Sequence, residues 1–381
     1  MPKRLVVCCD GTWNDADSGG GFTNVVRIAR AIRAVDADAA GGPVHQIVYY
    51  HSGVGSEGDA LEHLIGGGTG LGLSRNVRDA YTFVANNFCD GDELFLFGFS
   101  RGAYTVRSVA GLIGWAGVLH KVDMDDFALL WEGFKSRKED GSRDPRPDFP
   151  DRHHDVPIKC VGVWDTVGAL GIPGHLNALF ARFYQFQDTD LGVGIENAFH
   201  ALAIDEHRPE FVPTLWRKAA GAPSTQRLEQ VWFAGAHSDV GGGYGEHGLS
   251  DVALAWMVDR VSPMLAVDEA YLLARQDRRD GWALGQVHDS VTGVFKLLGR
   301  TDREVRGDGP ATAESIHASI DSRRAALAYA PAGVAGRAAG TGPLGPVEER
   351  LRWRSPDPGH EAKGARREPT RTDPLMRVLR I

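Results

Sequence analysis

The chain has 381 residues, 43% of them apolar and 24% charged, with a formal net charge of -8 at pH 7; this is globular composition for one large or two modest domains and excludes disorder, collagen and coiled coil. The mild acidity argues against broad nucleic-acid binding, so no nucleic-acid partner is expected. No apolar run approaches the ~20 residues of a membrane span, and the opening MPKRLVVCCDGTWND holds too short an apolar stretch for a signal peptide, so the expected compartment is the cytoplasm, with export by a signal-independent secretion system compatible with it.

Short, nearly continuous apolar runs alternate with helical patterns, as expected for a mostly parallel sheet covered on both faces. Arg4–Cys9 is the first strand. Cys8 and Cys9 within it, with Cys89 and Cys160 far apart, read as buried thiols rather than a disulfide framework or metal site. Asp10-Gly11-Thr12-Trp13-Asn14 follows, a loop from which an N–H of Gly11 or Thr12 could serve an oxyanion, with Asp10 or Asn14 as a brace; the alternative is a tight turn. A phosphatase of the haloacid dehalogenase type also carries DGT after a strand, but its aspartyl nucleophile falls two residues earlier, where Cys8 stands, and that reading fails. Gln46–His51 is the second strand. Gly53 to Gly58 matches GxGxxG without a helix opening from it, and Gly66 to Gly70 lacks the GK[ST] ending of a phosphate loop, so both read as loops at the rim of a site. Ser74–Asn87 is a helix, with Val77, Ala80, Tyr81 and Val84 at helical spacing and Ser74 as its N-cap.

The third strand, Leu94–Phe97, runs into Gly98-Phe99-Ser100-Arg101-Gly102 and then an apolar helix. GxSxG between strand and helix is a nucleophile elbow: the turn is too tight for side chains two positions either side of the serine, and it sets the Ser100 hydroxyl at the positive end of a helix. Arg101 supplies the N–H after the nucleophile for an oxyanion hole.

A nucleophilic serine needs a base and a residue that orients the base, in the order Ser, acid, His at later strand ends. Ile158–Trp164 ends in Asp165, and Leu228–Ala234 leads through Gly235-Ala236 to His237. Asp205 and Asp239 compete as acids, but Asp239 lies too close to His237 in sequence to orient it and sits among turn glycines. His288 and His317 lack a clear preceding strand and read as structural. Residues 135–155 form a polar loop insertion in which His153 and His154 read as solvated. Pro173–Phe186 places Leu176, Leu179, Phe180, Phe183 and Tyr184 at helical spacing, either as core or as a lid over residues 173–190 lining an acyl groove.

DGTWN, GFSRGAYTVRSVAGL, VGVWDTVGALGIP, HALAIDE and VWFAGAHSDVGGGYGEHGLSDVALAWM together resemble the catalytic domain of the type VI secretion phospholipase effectors, Tle1-like. The resemblance covers roughly Leu5 to Val258 and implies an acyl-ester hydrolase with a Ser100, Asp165 and His237 triad.

The expectation is therefore an α/β-hydrolase fold, with a mostly parallel central sheet and helices on both faces. Its catalytic domain spans 1–345 and a charged tail spans 346–381. The expected activity is that of a serine ester hydrolase acting on phospholipid or another acyl ester, with transient contact at a membrane surface and no cofactor or metal. A short-chain carboxylesterase, an acyltransferase on a soluble substrate and a non-catalytic binding protein of the same fold are the alternatives; the oligomeric state is not encoded in any motif.

Overall fold

A computed structural model describes residues 2–11, 21–38, 41–53, 69–135, 152–167, 189–305, 311–334, 337, 340 and 343–352. Among them the apolar runs assemble into an eight-stranded sheet: β1 (Arg4–Cys9), β2 (Val35–Ala37), β3 (Pro43–His51), β4 (Glu93–Phe99), β5 (Ile158–Trp164), β6 (Ile195–Ala203), β7 (Arg227–Phe233) and β8 (Glu314–Ile316). The order is β8-β7-β6-β5-β4-β1-β3-β2, and only the β2 edge is antiparallel.

Strand side chains alternate between faces, and both faces are covered. Leu5, Val7 and Cys9 of β1 join Leu94, Leu96 and Val161 in one core, while Val6, Cys8, Phe95, Phe97 and Cys160 form part of the other. That is why these strands read as unbroken apolar runs, each buried Val or Leu stabilising the fold by roughly 1.5–3 kcal/mol. On the first face lie α2 (Thr69–Asn87) and α3 (Arg101–Ala116); on the second lie α1 (Asn24–Ala31), capped by the Thr23 hydroxyl, and α5 (Gly248–Val261), preceded by the short α4 (His237–Gly241). No helix among the described residues is long and apolar enough to cross a membrane.

The differences from expectation have local causes. Helix α2 starts at Thr69, so Ser74 lies inside it instead of capping it, and its hydroxyl accepts from Trp131 Nε1 at 3.2 Å. Strand β4 continues through Gly98 to Phe99, because the ladder to β5 does not stop at the glycine. Strand β6 has no continuous apolar run, because polar residues interrupt its apolar ones. Asn197 donates to Lys159 O at 2.8 Å, and His200 Nε2 accepts from Thr166 N at 3.1 Å. Strand β8 directly precedes His317, contrary to the expectation that no strand did. Cys89 is exposed rather than buried, the core position at the end of α2 being taken by Phe88.

Of the 135–155 insertion, residues 136–151 lie outside the described part. Arg152–His153 pairs antiparallel with Val118–Leu119. His153 is no solvated loop residue: its Nδ1 lies 2.7 Å from Asp90 Oδ1, and its ring packs on Phe88 and His120. The lid segment Pro173–Phe186, both glycine clusters beyond Gly53 as far as Gly68, and residues 353–381 also lie outside the described part. At the start of the 346–381 segment, α6 (Pro346–Leu351) packs on the domain with Val347 and Leu351 buried.

From β1 the chain crosses to β3 on one side, whereas β4 lies on the other and every later strand follows it outward. The reversal falls between β1 and β4. In open α/β sheets ligands bind outside the carboxyl ends of strands at such a switch point; here Asp10 and Ser100 emerge there.

Candidate active site

Ser100 joins β4 to α3 with φ 55° and ψ -121°, in the left-handed half of backbone space that a serine adopts only under constraint. The constraint is close approach. A Cβ on Gly98 would lie 2.6 Å from Gly102 O, and one on Gly102 would lie 2.1 Å from Cys9 O and 2.5 Å from Asp10 O. The two glycines thus let the first turn of α3 rest against β1 and β4. Ser100 N donates to Trp164 O at 3.1 Å, carrying the sheet ladder one residue into the site.

One strand over, Asp165 is fully buried at the end of β5, with φ 39° and its N–H on Ala201 O at 2.8 Å. His237 opens α4 just after β7, and its Nδ1 lies 2.6 Å from Asp165 Oδ2. With the Nδ1 proton donated to the carboxylate, Nε2 of the neutral imidazole is an acceptor. The ring lies against Phe99, 4.5 Å between centroids, and edge-on to Phe211 at 5.1 Å. Phe99 immediately precedes Ser100, so the imidazole sits beside the elbow; among the described residues no hydrogen bond joins it to the Ser100 hydroxyl.

Two residues outside the sequence expectation complete the electrostatics. Arg303 is buried and forks onto Asp165, Nη1 to Oδ1 at 2.6 Å and Nη2 to Oδ2 at 3.0 Å. The same nitrogens donate to Ala203 O and Phe211 O. Asp165 Oδ1 also accepts from Ala203 N at 3.1 Å. Burial alone would push the Asp165 carboxyl up; the Arg303 charge and the His237 bond outweigh it and hold the group well below the usual carboxylate range. Burial pulls the His237 imidazole below its ordinary value, against the opposing bond to Asp165. Glu206 accepts His237 N at 3.2 Å, Ser290 Oγ at 2.7 Å and a fork from Arg208. Burial works against the Glu206 carboxylate, but Arg208 holds its pKa below the ordinary value.

The remaining candidates have other partners. Gly11 N donates to Asp10 Oδ1 at 2.8 Å, while Asp10 Oδ2 accepts from Thr23 and Tyr50, so Asp10 braces the end of β1. Burial pushes the Asp10 carboxyl up to about 7. Thr12 lies outside the described residues, and Arg101 is the first residue of α3. Asp205 accepts Gly235 N and the Tyr329 hydroxyl. Asp239 caps Ala236 N and holds His288, Nδ1 to Oδ1 at 2.6 Å. His317 is buried against Glu348, Nε2 to Oε1 at 2.6 Å. Among the described residues no cluster of three or more His, Cys, Asp or Glu side chains is placed to hold a metal.

Over residues 3–260, more than half its length, the chain matches the family described as T6SS phospholipase effector Tle1-like, catalytic domain. It is 27% identical over 233 residues to the uncharacterized protein YEL023C of Saccharomyces cerevisiae, a match covering 55% of this chain and 32% of that protein. It therefore spans about a third of the length of that curated relative. Among solved structures it is similar to an uncharacterized protein from Pseudomonas aeruginosa, with TM-score 0.41 and 18% identity over 68% of this chain and 46% of that one. It is also similar to the Tle1 effector bound to the VgrG spike of the type 6 secretion system, with TM-score 0.38 and 18% identity over 65% of this chain and 52% of that one.

Proposed function

We propose a function for a chain that belongs to the Tle1-like catalytic-domain family of type VI secretion phospholipase effectors: it is a serine hydrolase of lipid esters on an α/β-hydrolase fold. Ser100 is the nucleophile, His237 the general base and Asp165 the group that orients the imidazole. The observation that carries this reading is the buried 2.6 Å bond from His237 Nδ1 to Asp165, at the carboxyl end of the central strands, where the strained Ser100 elbow emerges.

With Nδ1 committed to Asp165, Nε2 takes the Ser100 proton as Oγ attacks the ester carbonyl, then delivers it to the departing alkoxide. Water, activated by the same nitrogen, releases the acyl group. In this reading the Arg101 N–H, next after the nucleophile, is one oxyanion donor and the Gly11–Thr12 loop supplies the second; Gly11 must first leave the Asp10 carboxylate it now bonds. Membership of a phospholipase effector family favours a phospholipase A acting at a membrane surface, reached through a secretion system that needs no cleaved signal.

The test is fatty-acid release from phosphatidylglycerol vesicles beside hydrolysis of p-nitrophenyl butyrate and palmitate. Ser100→Ala should remove activity by several orders of magnitude, leaving at most the ~10³-fold over water that binding and oxyanion stabilisation supply. A fluorophosphonate should label the native chain and not this variant. Butyrate turnover with no fatty acid from vesicles would turn the reading to a carboxylesterase; absence of labelling would sink the triad.

A further inference from the structure

Along α3, from Tyr104 one turn past the elbow to Trp115, runs a cavity of about 240 Å³. Its described walls are largely apolar and aromatic, with Leu73, Tyr104, Trp131, Phe134 and Trp216 among them. Arg107 lines it as well, at only 7% exposure. The guanidinium lies 4.3 Å over the Trp216 ring, and Nη1 donates to Thr214 O at 2.5 Å. Nη2 is buried and has no hydrogen-bond partner. Of the other charged lining residues, half-buried Lys135 is paired with Glu132 and Asp190 is exposed, which leaves Arg107 as the one buried charge of the described wall.

Burial pulls Arg107 down to about 9, so near pH 7 the guanidinium stays cationic. Its planar fork is built to take a carboxylate by two parallel bonds, and the surrounding walls suit an alkyl chain. At ~30 Å³ per water-sized group the cavity accommodates a chain of roughly eight carbons.

We propose that this cavity binds a medium-chain alkyl carboxylate, with its head on Arg107 and its chain against the aromatic wall. The site is distinct from the catalytic groups: Arg107 lies seven positions beyond Ser100, about 10 Å along the helix. It is nevertheless tied to them, since Thr214, which accepts from Arg107, donates its own N–H at 2.9 Å to Thr166 O, next to Asp165. A bound carboxylate thereby bears on the backbone that carries the acid.

The proposal does not rest on the ester-hydrolase reading, and turnover is removed from its test. The Ser100→Ala chain is titrated calorimetrically with octanoate, octanol and acetate. Octanoate should bind at least tenfold more tightly than either, because octanol lacks the charge and acetate the chain. In the Ser100→Ala, Arg107→Met double variant octanoate should lose at least tenfold in affinity while octanol is unchanged. Octanoate binding no tighter than octanol, or as tightly without Arg107, overturns the proposal. The ligand comparison requires no change at Arg107, so it decides the matter even where the double variant fails to fold.

Discussion

Arg303→Gln tests whether the buried cation sets the basicity of the imidazole. Through their shared Asp165 Oδ2, bonds of 3.0 and 2.6 Å place Arg303 Nη2 and His237 Nδ1 no more than about 5.6 Å apart. At an effective dielectric constant of ~20, the repulsion between a guanidinium and an imidazolium at that distance is about 3 kcal/mol, or about two pH units. Water entering the vacated space screens part of it, so the expected shift is roughly one to two units. Around the imidazole, Asp165 and Glu206 favour the proton and Arg208 disfavours it; by like-charge repulsion across Asp165, the Arg303 guanidinium adds to the second effect. The native acid limb of kcat/KM should lie below the ordinary ~6.5. Removing the cation favours imidazolium, so the limb moves to higher pH. The assay is kcat/KM for p-nitrophenyl butyrate across the acid range, run well below the melting temperature, since breaking a buried ion pair costs about 3–5 kcal/mol. Arg303→Lys, which keeps the charge and loses the fork, should hold the limb near the native position. A limb that stays put or moves down in folded Arg303→Gln protein refutes the reasoning.

Other substitutions probe the frame around the site. Gly102→Ala must drive a methyl group into two backbone carbonyl oxygens, at 2.1 and 2.5 Å, and should destabilise the chain by about 3 kcal/mol or more in urea unfolding; an unchanged midpoint would contradict the close approach of α3 to β1. His200 is buried neutral, its pKa brought down to about 3 by burial first and the nearby Arg107 second. The unfolded chain takes up that proton near pH 6.5 and the folded chain does not, so stability present above about 6.5 falls toward pH 3 by about 1.4 kcal/mol per unit. His200→Gln should flatten that slope, as read by unfolding at several pH values. Ending the chain at Gly345 removes the buried Val347 and Leu351 and the Glu348 partner of His317. Denaturant titration should show several kcal/mol lost; a loss below ~1 kcal/mol would mean that α6 merely rests on α5.

The placement of Ser100, Asp165 and His237 beyond strand ends was legible because each is announced locally. Tight glycines bracket Ser100, and apolar strands run out directly before Asp165 and just short of His237. Strand β6 was not, because Asn197 and His200 look like surface residues until the neighbouring strands that satisfy them are in place. Arg303 is the sharper case. It stands in a polar stretch with no period, and nothing near it in the chain is its partner; its four acceptor atoms come from Asp165, Ala203 and Phe211. A lone cation acquires meaning only from what the fold sets around it. Arg303 also lies beyond residue 260, where the family match ends, so the carboxylate of the matched region depends on a residue outside it. A chain that kept the matched blocks without such an arginine would leave Asp165 with His237 as its main counter-charge. Its imidazole would hold a proton more tightly, and its activity would start at higher pH, as expected for Arg303→Gln.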